Sequence, residues 1–90
     1  MNKSEFVDAV ADNADVPKAT VAKVLDSMVS TIGNSLNNGD QITLVGFGTF
    51  LVRKREARQG RNPRTGETIE IAASNVPSFK AGKALKDAVN

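Results

Sequence analysis

The chain contains no cysteine, no histidine, no tryptophan and no tyrosine. Without cysteine there is no disulfide framework and no thiol chemistry, and without histidine the commonest metal ligand and general base are both missing. Most catalytic schemes fall with them. The aromatic inventory is four phenylalanines, few enough that packing has first claim on each. No segment approaches the ~20 apolar residues of a membrane span. The N-terminus carries Glu5, Asp8, Asp12 and Asp15 and no apolar run, unlike a secretory signal. A soluble, intracellular, non-enzymatic chain without cofactor or metal is expected, and no membrane partner.

What is present is unevenly placed. The formal net charge is +2, yet residues 1–40 hold Lys3, Lys18 and Lys23 against six acids, while residues 41–90 hold nine bases against four. Charge segregated in this way is the footprint of a polyanion binder rather than of a uniformly sticky cation. The stretch from Arg53 to Gly66 concentrates it: Arg53, Lys54, Arg55, Arg58, Arg61 and Arg64 against the single acid Glu56, with no large apolar side chain. Such a segment cannot recover its ordering entropy from a core, so it finishes ordering on its ligand. Nucleic acid is the expected polyanion.

Asn2 followed by Glu5 resembles a capping box, and Phe6, Val7, Val10, Ala11 and Ala14 recur at helical spacing, which predicts a first helix over residues 3–13. Pro17 fits the first turn of a second helix with the stripe Val21, Val24, Leu25, Met28, Ile32 and Leu36, ending at Asn37-Asn38-Gly39. Val29 widens that stripe beyond what one short helix covers. In a chain of ninety residues this points to a partner helix from a second subunit, although the sheet could also cover it. Gly39-Asp40 opens a strand through Val45, and Gly46-Phe47-Gly48 turns into a second strand through Val52, with Phe47, Phe50 and Phe79 as core aromatics in preference to base-stacking platforms. Thr68–Ile71 forms the returning strand of a basic hairpin. The chain then re-enters the body through Ala72–Val76, Pro77 ends the strand, and residues 80–89 form a short C-terminal helix. The resulting division is 1–40 helical base, 41–77 sheet and arm, and 78–90 C-terminal helix.

Alternation along the arm sends Arg53, Arg55 and Arg61 to one side and Lys54 and Arg58 to the other, unless a bulge near Gly60 shifts the register. Arginine suits such a site because its planar fork pairs with phosphate and enters narrow minor grooves. At the tip, Asn62-Pro63-Arg64-Thr65-Gly66 has proline for the second turn position and glycine for positive φ. Pro63 is either a turn former or a rigid apolar wedge held by Arg61, Asn62 and Arg64, and those flanking residues favour the wedge. Lys80, Lys83 and Lys86 recur every three residues, as a solvated face or a phosphate-contacting flank. Lys3 is either a further contact or an ion-pair partner of Asp26.

Taken together, VGFGTF, the basic strand, GRNPRTGE and the terminal VPSFKAGKALKDAVN resemble the bacterial histone-like HU proteins, in the family that includes integration host factor. The resemblance spans the whole chain. It implies an α+β fold: a two-helix base, a three-stranded antiparallel sheet extended into a β-ribbon arm, and an intertwined dimer. It also implies minor-groove binding to double-stranded DNA with Pro63 as intercalating wedge. Arg53, Arg55, Arg58, Arg61 and Arg64 would be arm contacts, and Lys80, Lys83 and Lys86 body contacts. Pro17 departs from the family habit of a Ser or Thr cap, which Asp15 or the fixed φ of Pro17 would replace. The function expected is architectural: binding with little sequence preference, bending and compaction of the bacterial nucleoid in the cytoplasm, as a homodimer or with a paralogue as heterodimer. A site-specific bender like integration host factor is the nearest alternative, but neither N-terminal helix offers a basic face for major-groove readout. An RNA binder is further off because the aromatic-bearing RNA motifs are missing, and RNA is at most a weak partner. A nuclease would need a carboxylate cluster, whereas Glu56, Glu67 and Glu70 sit on the arm.

Overall fold

A computed structural model describes residues 1–90 and resolves them into two compact units, Met1–Ser35 and Leu36–Asn90. In the first unit, α1 runs Lys3–Ala14 and begins where Asn2, in extended conformation, accepts the Glu5 N–H on its side-chain oxygen at 2.9 Å. That bond satisfies one of the orphan amides of the first turn. Asp15 ends the helix in the left-handed region, φ 57°, with its N–H on the Ala11 carbonyl. Asp15 closes α1 through its backbone, and its carboxylate makes no capping hydrogen bond to the next helix. Pro17 stands one residue ahead of α2 (Lys18–Asn37) rather than inside its first turn, and its carbonyl accepts the Val21 N–H at 3.1 Å.

The two helices bury little between them. Val7, Ala11 and Val21 are the only buried hydrophobic residues in the chain, flanked by the partly buried Val10, Val16, Ala22 and Leu25. Beside them lies an open apolar groove whose walls include Phe6, Val10, Val24 and Met28. Phe6, Val24 and Met28 remain about half exposed, at 45%, 52% and 47%. Two ion pairs cross the surface, Lys3 Nζ to Asp26 Oδ1 at 2.6 Å and Lys18 Nζ to Asp8 Oδ1 at 3.3 Å.

The second unit contains β1 (Ile42–Leu44), β2 (Gly48–Arg55), β3 (Arg58–Arg61), β4 (Thr68–Ile71), β5 (Ser74–Ala81) and α3 (Lys83–Ala88). The antiparallel sheet has the order β1-β2-β5, and β3 and β4 form a separate two-stranded ribbon. Opposed residues share a face, so Ile42, Phe50 and Phe79 form one apolar row across the sheet. The ring of Phe79 lies 4.8 Å from that of Phe50 and 5.5 Å from that of Phe47, in tilted contacts that aromatic quadrupoles favour.

Two expectations are corrected here. Pro77 does not end its strand: it pairs opposite Val52 within β5, which continues to Ala81. β5 lies at the sheet edge, where one side has no ladder and a missing N–H is tolerated. Lys80 and Ala81 consequently belong to the sheet, and α3 begins only at Lys83, so the boundary expected at residue 78 falls at Gly82. The bend there is built from glycines. Gly46 adopts φ +84°, its carbonyl accepts the Leu85 N–H at 3.2 Å, and the Phe47 carbonyl accepts the Gly82 N–H at 2.7 Å. α3 is thereby hung on the β1–β2 turn.

Gly48 has no room for a side chain: a Cβ would lie 2.5 Å from Phe79 Cζ and 2.6 Å from the Lys80 carbonyl oxygen. The Gly48→Ala variant is expected to lose about 1–3 kcal/mol of stability, as overpacked sites do. Chemical denaturation checks this, and a midpoint equal to that of the unaltered chain would mean β2 and β5 separate without cost.

Candidate nucleic-acid interface

The β2–β5 register decides which bases act together. Counting from Thr49, the alternate residues Leu51, Arg53 and Arg55 share one face of β2, opposed by Lys80, Ser78, Val76 and Ser74. Thr43, opposite Thr49, extends that face onto β1. Lys80, Arg53 and Arg55 therefore lie on one side of a single sheet, together with Leu51 and Val76, and Phe50, Val52 and Phe79 lie on the other. Lys54, opposite Asn75, falls on the Phe50 side, apart from its neighbouring arginines. Lys80 belongs to this surface rather than to a helical triplet. Lys83 and Lys86, three apart on α3, remain neighbours there.

Beyond Arg55 the ladder stops for Glu56-Ala57 on one strand and Ala72-Ala73 on the other, then resumes with Arg58 opposite Ile71. Two residues face two, so none is gained or lost. Gly60 pairs opposite Ile69 in plain alternation with no bulge. The ribbon has two unlike faces: Arg58 and Gly60 beside Ile69 and Ile71, and Gln59 and Arg61 beside Thr68 and Glu70. Arg58 and Arg61 thus point to opposite sides.

The tip is tied by its own residues. Asn62 N–H donates to the Glu67 carbonyl at 2.8 Å, Gly66 N–H to the Asn62 carbonyl at 2.8 Å, and Arg64 N–H to Asn62 Oδ1 at 2.8 Å. Thr65 Oγ1 receives the Glu67 N–H at 3.3 Å, and Gly66 takes φ +72°. Pro63 occupies the second turn position, exposed, with Arg61 and Arg64 exposed on either side of the half-buried Asn62. Asn62 holds the turn through its oxygen, which leaves the amide N–H groups to reach outward.

None of the arm or α3 bases is in an ion pair; both ion pairs belong to the helices. Lys3 is the exception among the candidate contacts, since its ammonium already meets Asp26. An exposed pair of this sort is worth little and does not withhold the lysine from a stronger partner. No group of three metal-ligating side chains exists in the chain. The Thr43–Thr49 pair was not singled out from sequence: β1 alternation separates Thr43 from Ile42 and Leu44, but its position beside Thr49 and Lys80 exists only through pairing.

The sequence model described as bacterial DNA-binding protein matches residues 1–90. The chain is 58% identical over 90 residues to the DNA-binding protein HU-beta of Pseudomonas aeruginosa, covering 100% of both. The chain belongs to the HU family of bacterial DNA-binding proteins. DNA-binding protein HU 1 of Bacillus subtilis is 58% identical over 89 residues, with 99% of this chain and 97% of that one covered. Among solved structures, the Anabaena HU–DNA cocrystal structure matches with a TM-score of 0.90 at 50% identity, covering 99% of this chain and 97% of that one. HU from Thermotoga maritima, as the V42I mutant, matches at 0.74 and 39% identity over 100% of both. These likenesses extend through the HU arm as well as the base.

The tip makes a local prediction. Asn62→Ala removes the Oδ1 acceptor from Arg64 N–H, a loss of about 1 kcal/mol of local order. Backbone order parameters across residues 62–67 are expected to fall while the global unfolding midpoint holds. Unchanged order parameters would show that Pro63 and Gly66 hold the turn alone.

Proposed function

We propose that the protein is a non-enzymatic DNA-architectural protein that binds double-stranded DNA with little sequence preference, bends it and compacts the bacterial nucleoid. The observation that carries this reading is the arm, with six bases free of ion pairs, closed by an exposed proline, in a chain of the HU family. HU is itself among the minor-groove architectural proteins for which wedge-driven kinking is described. On this reading Arg53, Arg55, Arg58, Arg61 and Arg64 hold phosphates and the minor groove, Asn62 and Arg64 steady the tip, and Pro63 enters between base pairs. Lys80, Lys83 and Lys86 are contacts beside the arm, Lys3 is a contact on the helical unit, and Lys54 is a lesser one on the opposite side of the sheet. The family is one of DNA-binding proteins and not of enzymes. The cytoplasmic nucleoid is its place of action.

The working form is a homodimer. Three buried hydrophobic residues and no side chain below 2% exposure do not sustain an isolated ninety-residue fold. The groove of Phe6, Val24 and Met28 is the surface a second copy, or a paralogous chain, would cover. Folding and association then form one equilibrium, and the unfolding midpoint is expected to rise with protein concentration. A midpoint independent of concentration, with a monomeric sedimentation mass, would rule the dimer out.

Pro63→Ala separates wedge from turn former. If the proline unstacks base steps, the variant bends DNA less and loses preference for gapped over intact duplex, with the folded body unaffected. If it only stiffens the free arm, all duplexes are weakened alike, by a few tenths to about 1 kcal/mol. Energy transfer across an end-labelled duplex gives the angle. An unchanged angle with uniform weakening would reject the wedge.

A further inference from the structure

We infer that Thr43 and Thr49, beside Lys80, form a neutral phosphodiester seat on the sheet, separate from the arm. The inference rests on the DNA-binding reading above and assigns two residues that charge alone does not reveal. Thr43 stands opposite Thr49 and Thr49 opposite Lys80, so the three side chains cross all three strands in one row on one face. The Thr49 hydroxyl donates to Thr43 Oγ1 at 3.3 Å. That leaves the Thr43 proton without an acceptor in the chain, at one end of a row whose other end is a lysine with no ion-pair partner.

Three features make the row a seat rather than a solvated patch. Thr43 and Lys80 are exposed and Thr49 half-buried, so the donors are both open and held. The adjoining hollow is lined by Gly46, Gly48 and Gly82 together with Leu44, Val45 and Ala81, and Lys80 is the one charged side chain that borders it. No acid occupies this face of the sheet, and the same face carries Arg53 and Arg55 further along β2. A phosphodiester oxygen suits the site because a hydroxyl proton and an ammonium can both donate to it, and the row continues the line of cations toward the arm. A protein carboxylate would satisfy the lysine equally well but would be repelled by none of its surroundings and selected by none; a polyanionic strand engages row and arm together.

The contribution of neutral donors has a signature. Counterion release counts cations only, so hydroxyl contacts add affinity without adding to the slope of log K against log[salt]. The test compares duplex binding over a salt series for the full-length protein and four variants. Thr43→Val with Thr49→Val keeps shape and β preference and removes both hydroxyls. It is expected to bind intact duplex about threefold to tenfold more weakly, with the slope and the unfolding midpoint unchanged. Thr43→Ser with Thr49→Ser is expected to bind as the unaltered protein does. Lys80→Gln is expected to flatten the slope by about 0.9 per lysine removed. Arg61→Ala, on the distal ribbon, is expected to weaken binding and flatten the slope, and reports on the arm alone. A valine pair that binds at full strength while Arg61→Ala weakens overturns the seat and leaves the DNA-binding reading standing. A valine pair that loses affinity only together with a lowered unfolding midpoint also overturns it, as a packing effect. An unaltered protein that binds no duplex overturns both readings.

Discussion

The pairing of β2 with β5 over eight residues, from Gly48 opposite Ala81 to Arg55 opposite Ser74, governs the chemistry of the second unit. A slip of one residue would turn β2 over, so that Arg53, Arg55 and Thr49 pointed where Phe50 and Val52 now point. The register is pinned at one end by steric fit, because Gly48 admits the Phe79 ring and the Lys80 carbonyl only by lacking a side chain. The ring contacts of Phe79 with Phe47 and Phe50 add an apolar reward for the same alignment. Packing at the root of the sheet thus determines where positive charge is displayed further along it.

The helical unit has a different economy. A side-chain cap at Asn2 and a left-handed closure at Asp15 define α1 locally, and the buried set of Val7, Ala11 and Val21 is small. Much of the apolar stripe on α2 stays open, with Val24 and Val29 at 52% and 62% exposure. Local signals suffice to shape these helices, but the burial that would stabilise them is incomplete within one chain. The charge division follows the same line: acids predominate in the helical portion, and the sheet and arm carry the excess of bases.

Much of this was legible in the residues. The Asn2 and Glu5 pair placed the start of the first helix at Lys3, the apolar spacing ended it one residue short of Ala14, and Asn62-Pro63 with Gly66 announced the turn that the tip adopts. The arm declared itself by charge. What escaped depends on partners distant in sequence. Pro77 reads locally as a strand breaker, and only its position on a sheet edge makes it harmless. Lys80, three residues before Lys83, looks helical in spacing, but the pairing of Thr49 with Lys80 keeps it in the strand and Gly82 makes the bend. Nothing in Glu56-Ala57 or Ala72-Ala73 marks an interruption, since neither pair contains a turn former. The threonine row is a product of three-strand pairing and has no trace in a linear reading.

That interruption makes the hairpin two ladders in series, eight pairs near the body and four toward the tip, with two unpaired positions on each strand between them. Hydrogen-bond cooperativity does not pass intact through such a step, so the outer ladder can open without taking the inner one with it. A hairpin built in this way can loosen at its tip while its root stays registered against the sheet.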